Sequence, residues 1–279
     1  MKTLVNILII VASLFLIGVI VFLYVSYTSD PEQQEVLEEQ TFDEEIEDME
    51  ITVKNSRVDV LPSNDGTFRI VLLGNNDDFT LNTDLSGTRL IIEVEERSRF
   101  SLFGFNHSST LQVYVPANGL DSLSVDSTNG AIKATDIQAA ELSLEANNGR
   151  IDLKAVESER VNAETANGRI ELTSIEADMT VRASNGRIIL TDVSGEIEAR
   201  ANNGRIDLTV DTLDFPVDLQ TNNGHIEIHT ENEPANARIQ ARVDNGSINV
   251  YGLENEQSTF GDGDVLIQLV SNNGRIIVE

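Results

Sequence analysis

Residues 142–153 read Leu-Ser-Leu-Glu-Ala-Asn-Asn-Gly-Arg-Ile-Asp-Leu: one run alternating apolar and polar, an Asn-Gly pair, then a second alternating run. Both runs have the period of two that leaves one face of a strand for a core. The unit recurs at Asn129-Gly130, Asn148-Gly149, Asn167-Gly168, Asn185-Gly186, Asn203-Gly204, Asn223-Gly224, Asn245-Gly246 and Asn273-Gly274, with glycine spacings of 19, 19, 18, 18, 20, 22 and 28. Two residues after each glycine stands an isoleucine: Ile132, Ile151, Ile170, Ile188, Ile206, Ile226, Ile248 and Ile276. Two further on comes Ala134, Leu153, Leu172, Leu190, Leu208, Ile228, Val250 or Val278. A period this short marks a repeat architecture and leaves no room in a repeat for a helix of useful length.

Two architectures fit the pattern. Asn-Gly between alternating strands is a strong hairpin signal, because both residues accept the positive φ of a type I′ turn. A hairpin at Asn148-Gly149, however, places Glu145 opposite Asp152, and one at Asn167-Gly168 places Glu164 opposite Glu171; like charges directly opposed are unfavourable. A meander also gives no reason for each turn to reuse Asn and each strand to reuse Ile. The preferred reading is an all-β, single-stranded parallel β-helix (β-solenoid) of 18–20-residue coils over residues 116–279. There equivalent residues stack about 4.8 Å apart, Asn129, Asn148, Asn167, Asn185, Asn203, Asn223, Asn245 and Asn273 form a structural turn ladder of amides, and the Ile column fills a narrow interior. From Pro116 onward the only aromatics are Phe215, Tyr251 and Phe260, which suits an aliphatic core.

Residues 51–115 are strand-like as well, for example Arg57-Val-Asp-Val60 and Leu111-Gln-Val-Tyr-Val115, but carry no Asn-Gly. They are expected to form an N-terminal β-rich capping region, since terminal repeats are atypical, with a protruding loop around Phe100–Ser109. Residues 28–50 hold eleven acids from Asp30 to Glu50 and no base, which reads as an extended, self-repelling acidic stalk. Residues 4–27 are apolar and free of charge. They exceed the roughly 7–15-residue apolar region of a cleavable signal and suit a transmembrane anchor, with residues 1–3 cytoplasmic and Lys2 favouring that orientation. The expected location is therefore the cell membrane, single-pass, with the C-terminal body extracellular.

A formal charge of −28 and the absence of Cys narrow the chemistry further. So negative a chain repels phosphate backbones, so nucleic-acid binding by counterion release is excluded. There is no disulfide framework, thiolate metal site or cysteine nucleophile.

The run from Val113 through Pro116-Ala-Asn-Gly-Leu-Asp-Ser-Leu-Ser-Val-Asp-Ser-Thr-Asn-Gly-Ala-Ile132, with the x-N-G-x-I-x-L units after it, resembles the bacterial β-strand-repeat "putative adhesin" family. With the N-terminal span, the chain is similar to its LiaG-type, membrane-anchored members. The resemblance covers residues 50–279 and implies a β-helix fold and a surface location. It supplies no catalytic residues.

Arg150, Arg169, Arg187, Arg205 and Arg275 all follow Asn-Gly, with Asp152, Glu171, Asp207 and Glu227 two residues beyond the same corner position. Arg150, Arg169, Arg187, Arg205, Asp152, Glu171 and Asp207 are the candidate surface-binding ladder: bidentate guanidinium recognition of anionic polymers or glycan carboxylates, set against a column that neutralises itself. A hydrolase needs two carboxylates at a fixed separation beside a sugar groove; here periodicity accounts for the acids, and no catalytic residue, cofactor or metal ligand is assigned. His107, His225 and His229 form no zincin pattern, and Gly261-Asp-Gly-Asp264 is read as a turn before a calcium loop. The functional expectation is a non-enzymatic, adhesin-like interaction or scaffold module whose partners, besides the membrane, are a cell-wall polymer or an envelope protein. The alternatives are a regulatory ectodomain in envelope-stress signalling and a polysaccharide-active enzyme.

Overall fold

A computed structural model describes residues 34–97 and 108–279. The expected membrane anchor at 4–27, the expected cytoplasmic residues 1–3, His107 and the phenylalanines of the expected loop lie outside these residues. The architecture below is that of the unit Val36–Glu279.

The described residues form a single sheet of seventeen strands and no helix: β1 (Glu35–Phe42), β2 (Asp48–Val53), β3 (Arg57–Pro62), β4 (Phe68–Gly74), β5 (Phe79–Ser86), β6 (Arg89–Glu96), β7 (Ser109–Val115), β8 (Leu120–Ser127), β9 (Ile132–Thr135), β10 (Ala139–Ala146), β11 (Ile151–Thr165), β12 (Arg169–Ser194), β13 (Ile197–Val210), β14 (Val217–Thr230), β15 (Ala237–Val250), β16 (Gln257–Thr259) and β17 (Val265–Val278). Each repeat makes one coil, with one flank before the Asn-Gly corner and one after it. Coils pair in parallel and in register. Ile151 lies against Ile132 on one side and Ile170 on the other, and Asn185, Gly186, Arg187 and Ile188 lie against Asn203, Gly204, Arg205 and Ile206. The result is an open solenoid-like sheet rather than a hairpin meander.

The core follows from the alternation. Ile132, Ile151, Ile170, Ile188, Ile206, Ile226 and Ile276 are fully buried, as are Leu153, Leu172, Leu190 and Leu208 across the same coils. Burying one such side chain contributes about 1.5–3 kcal/mol before ordering costs. Ile137, Val156, Ile175 and Val193 close the interior at the end of the second flank.

Three features of the stack depart from the sequence reading. First, the chain does not stack its coils in sequence order. β17 pairs with both β14 and β15, so the last repeat lies between its two predecessors and β15 is the outer coil. The 28-residue spacing accommodates this crossing: it includes β16, which runs antiparallel along Arg238–Gln240 of β15.

Second, β2 and β3 are a repeat coil themselves, inserted between β6/β7 and β8/β9. Asn55-Ser56-Arg57-Val58-Asp59-Val60 is thus a copy of the unit with Ser for Gly and Val for Ile.

Third, part of the expected stalk belongs to the sheet. Glu35–Phe42 forms β1, Asp48 opens β2, and Ile46 and Met49 are buried. Counting charge over 28–50 concealed the apolar residues spaced among the acids. Ser109 is likewise no loop residue, being buried at the start of β7.

The N-terminal end is covered by antiparallel strands: β5 on β6 and β4 on β7, with β1 paired to β4. Phe68, Ile70, Leu72, Phe79 and Leu81 are buried there, and Arg69 stacks 4.0 Å over the Tyr114 ring. From β1, Glu38 and Gln40 accept hydrogen bonds from the Leu81 amide and the Thr83 hydroxyl.

Candidate functional site

The Asn-Gly corners line up along the stack. Asn148 Nδ2 donates to Asn129 Oδ1, Asn167 to Asn148, Asn185 to Asn167, Asn203 to Asn185, Asn223 to Asn203, Asn273 to Asn223 and Asn245 to Asn273, all at 2.9–3.0 Å. At the other end Asn129 donates to Asn55 at 2.8 Å and Asn55 to the Glu96 carboxylate at 2.6 Å. Every amide points the same way, so the dipoles add and polarise one another, and their donor end rests on a carboxylate, the sign of charge that oriented N–H groups favour. A second, shorter row runs from Asn272 through Asn222 to Asn202. The asparagine side chains run in the order 55, 129, 148, 167, 185, 203, 223, 273, 245, with Asn55 extending the row beyond the Asn-Gly corners. The cue to Asn55 was its surrounding Arg-Val-Asp-Val, which keeps the alternation after the corner.

The glycines beside this ladder are required by crowding. A Cβ on Gly149, Gly168, Gly186, Gly204, Gly224 or Gly274 would overlap the carbonyl oxygen of the corner glycine in the adjoining coil. Of the corner glycines only Gly246, on the outer coil, has a positive φ (155°), and no corner asparagine has one, so these are not type I′ turns. Buried hydroxyls complete the corner: Thr165, Thr221 and Ser271 donate to the carbonyls of Gly149, Gly204 and Gly224 at 3.1–3.3 Å. Ser56 stands where the others have glycine, and its hydroxyl meets that of Ser109 at 2.5 Å.

The candidate arginines form a neighbouring column: Arg150 and Arg205 face acids on their own and the next coil, Arg169 an acid on its own coil and Arg187 one on the next. Arg150 bonds Asp152 at 3.1 Å and Glu171 at 2.7 Å, and Arg169 lies 3.6 Å from Glu171. Arg187 bonds Asp207 at 2.5 Å, and Arg205 bonds both Asp207 and Glu227. Asp207 is buried with two guanidinium partners, which offsets the desolvation of its charge. The arginine side chains themselves stay 38–45% exposed, so their outer edges remain open to solvent. At Arg275 the column changes: its own strand offers Ile277, and the coil beyond offers Ser247 and Asn249. Its backbone N–H donates to His225 Nδ1 at 3.2 Å. His229 lies 3.2 Å from Glu279 and 3.9 Å from Glu227.

The second corner of the coil is built differently. Asp136, Ala155, Ser174 and Asp192 each sit six residues after a corner glycine with φ of 51–55°. They line a groove of about 560 Å³ together with Gln138, Glu157 and Glu176. Sequence reading missed this column because its members share no residue type. Gly261 and Gly263 have φ of 57° and 74° in a turn, and Asp264 of that turn is held by Asn236 in a reciprocal pair of hydrogen bonds. Among the described residues no group of three His, Asp or Glu side chains is placed to hold a metal ion.

The family model for Toastrack DUF4097 matches residues 46–277. A crystal structure from Bacteroides fragilis, described as a "putative adhesin", superposes with a TM-score of 0.53 at 11% identity, covering 89% of this chain and 98% of that one. A second "putative adhesin", from Parabacteroides merdae, gives a TM-score of 0.46 at 9% identity over 87% of this chain and 95% of that chain. No curated protein sequence matches.

Proposed function

Because the chain belongs to the Toastrack DUF4097 family, we propose that its body is a non-enzymatic interaction or scaffold module of a bacterial envelope, held at the cell surface by the apolar segment at 4–27. The observation that carries this reading is the repetition of one polar corner along the stack. An amide ladder and a charge column with a fixed repeat form an extended surface of the kind solenoids use to bind along their length. The fold likeness to the Bacteroides fragilis protein described as a "putative adhesin" is in keeping with the same reading. Its partner is a cell-wall polymer or an envelope protein. An anionic polymer would have to exchange its own carboxylates or phosphates for those that now face Arg150, Arg169, Arg187 and Arg205, so contact is short-ranged and weakens with salt.

The full chain is presented to isolated sacculi, teichoic acids and solubilised envelope proteins, with and without calcium. Retention by one of these, reduced when Arg150 and Arg169 are both replaced by Ala, supports the proposal. Retention by none overturns it. Protease accessibility of the body in intact cells tests the location separately, and protection there contradicts the surface placement.

A further inference from the structure

The two ends of the amide ladder are finished differently. At one end the last donor, Asn55, is met by Glu96, and antiparallel strands cover the coil beyond. At the other, Asn245 Nδ2 is used by Asn273, while its Oδ1 faces outward with no donor among the described residues. The backbone edge beside it is open over one stretch. β16 covers Arg238–Gln240 and Leu253 bridges to Val250, which leaves Arg242–Asn249 without an outer partner among the described residues. Val243 and Ile248 in that stretch are only half-buried, whereas the matching Ser271 and Ile276 one coil inward are fully buried. Leu253 at the end of the stretch is 52% exposed.

We propose that this edge receives one extended strand from another chain, added in parallel as a further coil. The occupant is defined by continuity with the stack it extends. It carries Ser or Thr, then after one residue Asn, then Gly, then after one more residue Ile or Val. Its Asn donates to Asn245 Oδ1 as every inner asparagine donates to its neighbour. Its hydroxyl reaches the Gly246 carbonyl, as Thr165, Thr221 and Ser271 reach Gly149, Gly204 and Gly224. Its Gly is obligatory because a Cβ there would strike that carbonyl, and its Ile covers Ile248. Strand addition of this kind draws affinity from the main chain and specificity from alternate side chains. The flanks set by β16 and Leu253 limit the guest to about the length of the open stretch, which argues against a second folded copy, whose own β15 continues past it. The proposal stands whether or not envelope polymers bind the arginine column.

The test uses the full chain and a labelled peptide of residues 270–277, which matches the open stretch in register and carries Ser271, Asn273, Gly274 and Ile276 in the required spacing. Saturable binding by fluorescence anisotropy is expected. Replacing the peptide's Asn273 by Ala should weaken it about fivefold, the loss of one hydrogen bond, and Gly274→Val in the peptide should remove it. The chain has no cysteine, so a disulfide reports position cleanly. Peptide carrying Arg275→Cys should crosslink to full chain carrying Ser247→Cys, and should not crosslink to His225→Cys, which it reaches only by displacing β17. Circular dichroism confirms that both variants are folded. Absence of binding, binding indifferent to Gly274→Val, crosslinking at His225→Cys, or a homodimer that the peptide cannot dissociate would each overturn the proposal.

Discussion

Gly186 and Asp192 mark two corners of one coil, six residues apart, and they invert the usual association of glycine with turns. At the first corner the residue is glycine and its φ is ordinary. At the second φ is 52° and the residue is aspartate, as it is alanine in the coil holding Ala155 and serine in the coil holding Ser174. The first corner excludes a side chain because the neighbouring coil's backbone occupies its place. The second leaves the side chain room in an open groove and accepts a conformation that costs an L-residue roughly 1–2 kcal/mol, repaid by in-register pairing on both sides of it. A repeat therefore selects glycine for interstrand spacing at one corner and tolerates backbone strain at the other.

Substitutions can break this contrast, starting with Gly186→Ala. It should cost about 3 kcal/mol or more, because the overlap is with backbone held on both sides and cannot relax as a side chain would; a stability loss below about 1 kcal/mol, taken from the urea midpoint and its m value, would show that crowding is not what fixes the glycine. Asn185→Ala removes one donor and one acceptor from the middle of the ladder and should cost about 1–2 kcal/mol, measured the same way. A larger loss than Asn245→Ala at the outer coil would confirm that neighbours on both sides matter. Ser174→Gly should act in the opposite direction and stabilise by about 0.5 kcal/mol, the relief of strain less the added freedom of the unfolded chain. Destabilisation by this change would mean that the corner is not strained.

A third kind of turn gives the smallest effect. Gly66 has φ of 78° with nothing near its missing Cβ, so there glycine serves conformation alone. Beside it, hydrogen bonds from the Ser63 and Thr67 hydroxyls and the Thr67 amide hold Asp65 down to about 2 from its ordinary 3.8. A depressed carboxyl contributes stability above its unfolded value and loses it as pH falls through the folded one. The stability difference between the chain and Asp65→Asn should accordingly shrink as pH drops from 3.8 to about 2, and a pH-independent difference in melting temperature would contradict the turn's hydrogen bonding. The carboxyl is fully exposed and solvent-screened, so the change is slight.

The same contrast explains what could be read from the sequence. The ladder, the isoleucine column and the parallel register were legible because stacking forces one residue type onto each corner position. The left-handed column was not, since Asp136, Ala155, Ser174 and Asp192 meet a condition on the backbone that leaves no mark in the side chain. Asn55-Ser56 escaped notice because the crowding rule relaxes there: the adjoining coil presents Ser109 in place of a corner glycine. The order of the coils was hidden for a different reason. Asn223-Gly224, Asn245-Gly246 and Asn273-Gly274 offer the same donors, acceptors and isoleucine, so pattern alone cannot say which of them are neighbours. Charge was legible at the level of columns, Arg150 to Glu171 and Arg205 to Glu227, but misleading over 35–50, where Ile46 and Met49 outweigh the acids around them.

The position of β17 has a consequence in time. During synthesis β14 and β15 leave the ribosome before β17 exists, and their matching corners make them each other's first available neighbours. The finished stack has β17 between them, so that early pairing must be withheld or undone once the later strand emerges. Translation thus adds the inner coil last, and a nascent chain halted after Val250 carries every residue of β15 without the surface on which β15 rests.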